Sequence, residues 1–175
     1  MRCVNMTYLN RKHCYLGGPI ENDSGPDWRP AIKEVLLNRF GIEVFDPACD
    51  PKQQFVPEML AARNACDFKT MRKHAKQFVR KDLCVVDRSD FIITRLPKGV
   101  PTTGSIHEII DANDRKKPVL LVCPEGKQHL PFWLYGFIRL KYMFGSFDEL
   151  YAYLDKVHHG KCKKDDRWAF VYGLI

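Results

Sequence analysis

No apolar run in this chain approaches the roughly 18 to 20 residues that a membrane-spanning helix needs. The opening MRCVNMTYLN also lacks the apolar stretch of a secretory signal, so a cytoplasmic protein with no membrane partner is the expectation. The seven cysteines, at 3, 14, 49, 66, 84, 123 and 162, include no CxxC pair, and no histidine stands at zinc-ligand spacing from them. They read as free thiols of a reducing compartment, with no metal and no cofactor expected. Internal repeats, low-complexity tracts and an RNA-binding consensus are missing too, and no basic stripe is interleaved with aromatics. These absences argue against a membrane protein, a disulfide scaffold, a zinc module and a repeat array.

What is present suits one globular unit. A length of 175 residues with 45% hydrophobic composition supplies one core, read as a single domain over 1–175 with a C-terminal tail from 160. The net charge of +7 favours an anionic ligand such as a nucleotide or phosphorylated sugar. Positive charge gathers in KTMRKHAKQFVRK (69–81), DRKK (114–117) and KCKKDDR (161–167), each of which, taken singly, reads more readily as a solvated helix face or a tail than as a binding site.

Periodicity then orders the elements. KHCYLGG (12–18) reads as a strand entering a glycine turn, followed by a polar loop. Pro30 suits the first turn of a helix on which Ile32, Val35, Leu36 and Phe40 recur at helical spacing, and Gly41 ends it. IEVF is the next strand; residues 47–66 read as irregular or weakly helical, with Pro47, Pro51 and Pro57 as breakers. A long helix over 67–88 would place Phe68, Met71, Phe78, Val79, Leu83 and Val86 on one apolar face. The strand FIITRL, the loop VPTTGS, a helix over 105–115 and the apolar run PVLLVC follow. Residues 131–142 read as an aromatic helix, FDELYAYLDKV as a clear one, and the tail as capping the sheet or crossing to a neighbour. Strands alternating with helices predict an α/β, doubly wound, flavodoxin- or Rossmann-like sandwich with a parallel sheet of about five strands. Ligands of such folds bind at the carboxyl ends of the strands, near a topological switch point.

Three segments converge on that edge. In YLGGPI, Gly17 and Gly18 let backbone amides approach a ligand, with Pro19 following and Tyr15 offering a phenol, although a GG turn alone is often only a turn. Asp82 lies near the apolar boundary of the long helix, as a surface acid or one aimed into the cleft. Glu108 is expected in the first turn of its helix, where the dipole alone would favour an acid. That does not account for the hydroxyls and glycine of Thr102, Thr103, Gly104 and Ser105 ahead of it, which suit sugar or phosphate oxygens.

YLGGPI, the Asp82 helix, SDFIITRL and GSIHEI, in this order, resemble the nucleoside 2-deoxyribosyltransferase family, including its relatives that hydrolyse 2'-deoxynucleoside 5'-monophosphates. The likeness covers roughly residues 12 to 125, and the VYGLI ending looks like the carboxyl terminus of some transferases. The resemblance implies Glu108 as a nucleophile at the anomeric carbon, Asp82 acting on the departing base, Tyr15 orienting Glu108, and homo-oligomers in which neighbouring subunits complete each site. Two departures stand out. Thr102 or Thr103 occupies a position where many transferases carry an acid, and Pro19 and Glu21 stand where the hydrolases carry serine and arginine. Glu21 would repel a phosphate, whereas Thr102, Thr103, Ser105 and Arg95 could hold one.

The expected activity is cleavage of the N-glycosidic bond of a 2'-deoxynucleoside through a glycosyl-enzyme intermediate, with deoxyribose passed to another base; the alternative is hydrolysis of a deoxynucleoside monophosphate. A nucleotide-binding module without catalysis, and a nucleic-acid-binding protein using residues 69–81, are the readings from other classes, with nucleic acid the weaker partner. The aromatic segment PFWLYGFIRLKYMF holds more large apolar side chains than one small helix needs, which points to an oligomer or to a buried core helix.

Overall fold

A computed structural model describes residues 7–20, 27–100 and 102–174. Glu21, Cys3 and most of the polar loop after the glycine turn lie outside them. Five strands, β1 (His13–Gly17), β2 (Glu43–Phe45), β3 (Phe91–Arg95), β4 (Val119–Val122) and β5 (Met143–Phe144), form one sheet in the order β2-β1-β3-β4-β5. Every neighbouring pair is parallel. This is the flavodoxin-like doubly wound order, and its switch point lies between β1 and β3.

The helices form two layers. α1 (Arg29–Phe40) packs with α6 (Phe147–His158), while α3 (Phe68–Arg88) packs with α4 (Thr103–Asp114). Both faces of the central strands are thereby covered. Ile92, Ile93, Leu120 and Leu121 are fully buried, which is why these strands read as continuous apolar runs rather than as alternations.

Several elements depart from the expectations. Residues 131–142 do not form a continuous helix: α5 (Phe132–Tyr135) lasts one turn, stops at Gly136, and a short 3-10 turn leads into β5. Burying Met143 and Phe144 against β4 completes the sheet, and the chain must extend to reach it. Pro57 does not break a helix but lies in the first turn of α2 (Val56–Asn64), where a missing N–H costs nothing. On α3, Phe68 and Val79 are exposed rather than part of a shared buried face.

The tail caps its own core. Trp168 is fully buried, its ring 5.3 Å from that of Phe91, and its indole N–H donates to the Tyr153 hydroxyl at 2.8 Å. Buried Asp165 accepts from Tyr142 and Arg139, each at 2.9 Å. Among the described residues no helix is long and apolar enough to cross a membrane.

Candidate active site

The cleft forms where β1 and β3 end. Thr94 of β3 pairs with Gly17 of β1, and α4 begins just beyond β3. Gly17 is required by crowding: a Cβ there would lie 2.6 Å from Thr94 Oγ1 and 3.2 Å from Glu108 Oε2. Gly18, at φ +147°, has a backbone that side-chain-bearing residues rarely adopt, and this turns the chain across the mouth of the cleft. At Gly104 the opposite holds: a Cβ would meet nothing within 4 Å, so the protein's own packing does not demand glycine there.

The cavity has a volume of about 340 Å³ and brings together Tyr15, Gly18, Pro19, Asp82, Thr102, Thr103, Gly104, Ser105 and Glu108, with Ile20 and Pro47 completing its wall. Gly17 lies behind this wall, against Glu108, and Arg95 is not among the lining residues. Thus three segments separated by up to 93 positions meet at one strand edge.

Glu108 is not in the first turn of its helix. α4 starts at Thr103, earlier than the expected 105, so the acid lies in the second turn, and no acidic residue occupies the first. Interaction with the helix terminus, which falls off within one turn, therefore does not explain it. Instead it is buried, and its Oε1 accepts a hydrogen bond from the Tyr15 hydroxyl at 2.6 Å. Among the described residues no hydrogen bond reaches Oε2. Burial pushes the Glu108 carboxyl up to about 7, while the Tyr15 hydrogen bond and the positive charges of Lys52 and Arg29 pull the other way. Tyr15 is fully buried beside that carboxylate; burial and the negative charge hold its phenol protonated far above neutral pH, so it serves as a donor only.

Two cations went unrecognised in the sequence. Arg29, buried at the start of α1, donates to the carbonyls of Gly18 (3.2 Å) and Pro19 (3.5 Å) and pairs with Asp46 at 3.3 Å, which braces the glycine turn from behind. Lys52, also buried, is bonded through its Nζ to Asp82. A proline after Arg29 marked a helix start, but nothing local in DPKQQF signalled Lys52, whose partner is 30 residues away.

The arrangement offers a buried acid at a cleft, a phenol that orients it, a second carboxylate in the cleft lining and hydroxyl and amide donors at the N-terminus of α4. Such a set suits a sugar between two carboxyl groups. Among the described residues, no three His, Cys, Asp or Glu side chains are grouped to hold a metal ion.

No protein-family model matches the chain, and no curated protein does. Among solved structures it is similar to a 2-deoxyribosyltransferase from the psychrotolerant bacterium Bacillus psychrosaccharolyticus, with 19% identity and a TM-score of 0.55. The match covers 81% of this chain and 95% of that one. The likeness is one of fold. It places the five-stranded parallel α/β architecture among known proteins and leaves the chemistry to be argued from the residues themselves.

Proposed function

We propose that this protein cleaves the N-glycosidic bond of 2'-deoxynucleosides by double displacement, with Glu108 as the nucleophile. The observation that carries this reading is the Tyr15–Glu108 hydrogen bond of 2.6 Å at a cavity wall that also holds Asp82 and the Thr102–Ser105 turn. A carboxylate held on one oxygen has the other available to bond with an anomeric carbon, and the oxocarbenium-like transition state is stabilised by its charge. Asp82 acts on the departing base, donating or relaying a proton so that the nitrogen leaves as a hydrogen-bonded or neutral group. A second base accepting the sugar gives deoxyribosyl transfer, the outcome proposed here; water accepting it gives hydrolysis.

A second reading, hydrolysis of 2'-deoxynucleoside 5'-monophosphates, is favoured by one feature. The N-terminus of α4 and the hydroxyls of Thr102, Thr103 and Ser105 line the cleft, and unpaired amides at a helix start suit a phosphate. In either reading a homo-oligomer with shared sites is part of the proposal. Phe132 and Trp133, 92% and 79% exposed, supply apolar surface for it.

Incubation with a panel of deoxynucleosides and their monophosphates, with and without a second free base, tests the proposal. New nucleosides signify transfer, and free base with deoxyribose or its phosphate signifies hydrolysis. Tight nucleotide binding with no base released over hours would instead leave a binding module.

A further inference from the structure

We infer that Lys52 is a positioning residue of this site, whose ammonium fixes the Asp82 carboxylate in the cleft wall and supplies a positive charge facing Glu108. The inference rests on the proposed reaction for its functional meaning, and on separate contacts for its geometry.

Lysine is rarely buried, because removing its charge from water is costly unless a partner compensates. Lys52 is 6% exposed, and Asp82 is the compensating partner. It sits in a short 3-10 turn (Pro51–Phe55) that is tied to α3 at successive points. Asp50 caps the turn by accepting from the Lys52 amide at 2.8 Å, and the same carboxylate pairs with Lys81 at 2.7 Å. The Lys52 Nζ bonds the next residue of α3, Asp82, and lies 5.3 Å from the ring centroid of Phe78 one turn earlier. A side chain held by a carboxylate, an aromatic face and a capped backbone has one position available.

The charges around both groups define what that position does. Lys52 is faced by Asp50 from its own turn, by Lys81 and Asp82 from α3, and by Glu108 from α4. Glu108 is faced by Tyr15 from β1, Arg29 from α1 and Lys52. Without the ammonium, two carboxylates share one cleft, and the buried one takes up a proton more readily. A protonated Glu108 cannot attack a sugar. Without Asp82, in contrast, Lys52 acts on Glu108 unopposed and favours its ionised form.

Opposite charge changes should therefore move one titration in opposite directions. The Glu108 carboxyl is followed by isotope-edited infrared or carbon NMR in the wild type, Lys52→Met, Lys52→Arg and Asp82→Asn, alongside kcat/KM for base release between pH 5 and 9. Lys52→Met should raise the Glu108 titration and move the acid limb of kcat/KM up with it. Each unit of movement removes about tenfold of the activity at pH 6, with recovery toward pH 9. Lys52→Arg should restore the wild-type limb, and Asp82→Asn should lower the Glu108 titration. A uniform loss in Lys52→Met with the titration unmoved would overturn the inference. Should Lys52→Met fail to fold, Asp82→Asn carries the test: a downward movement supports the role, and none or an upward one refutes it. The titration is read without turnover, so it stands apart from the reaction itself. If Glu108→Ala retained base release, the proposed reaction would fail while the Lys52 titration result remained.

Discussion

Asp82 and Lys73 lie on the same helix, yet their charges live under opposite conditions. Asp82 faces the cleft, mostly covered, and is held by a buried lysine. Lys73 belongs to an exposed face with Lys69, Arg72, Lys76 and Arg80, none joined in an ion pair to another described residue. On the outer face, water and salt screen each charge, so it changes little when altered. In the cleft, burial pushes the Glu108 carboxyl up into the neutral range, and its neighbours Tyr15, Lys52 and Arg29 set how far by pulling it back. The comparison teaches that charge count alone, so prominent in the 69–81 segment, does not locate chemistry; burial with specific partners does.

The sharpest way to break this contrast is at Glu108. Glu108→Ala should lower base release by at least about 10³-fold, since no other group in the cleft replaces a nucleophile; chromatography of released base measures it, and retained activity would remove the mechanism. Removing the orienting bond is milder. Tyr15→Phe should cost about 10- to 100-fold in kcat/KM, the usual worth of a hydrogen bond to a charged group. It should also move the acid limb to higher pH, because the phenol favours the ionised carboxyl.

The cleft's burial carries a stability cost as well. In the folded chain Glu108 titrates at about 7 against an ordinary 4.5, so between those values the native state keeps a proton that the unfolded chain has released. Stability is then lost as pH rises through that window. Glu108→Gln should be more stable than the wild type at pH 8 by up to about 3 kcal/mol, with the difference vanishing near pH 4, as read by denaturant unfolding. At the other end of the scale, Lys73→Gln, Lys76→Gln and Arg80→Gln together should leave base release within about twofold and stability within about 0.5 kcal/mol per site. A large loss of activity in that triple variant would show that the outer face takes part in the chemistry.

Much of this organisation was legible in the sequence, for physical reasons that also mark where legibility ends. β1, β3 and β4 are apolar runs because both sheet faces are covered, and α1 and α6 show their buried stripes at helical spacing. β5 contributes two residues, too few for any period, and its place is set by pairing with β4. α4 begins at Thr103 rather than 105, because the run of threonines, glycine and serine at 102–105 carries no apolar period from which a helix start can be read. The glycine turn and the TTGS loop are contiguous, so their residues could be read together. Lys52 and Arg29 join the site only through folding, by contacts with residues distant in the chain or with backbone carbonyls, and no spacing rule anticipates such contacts.

Peptide mapping by mass spectrometry, after rapid acid quench of the enzyme turning over a deoxynucleoside, tests the central claim most directly. The account predicts a deoxyribosyl adduct on the peptide carrying Glu108, absent from Glu108→Gln. Base release with no adduct at any time, or an adduct carried by Asp82 instead, would contradict it.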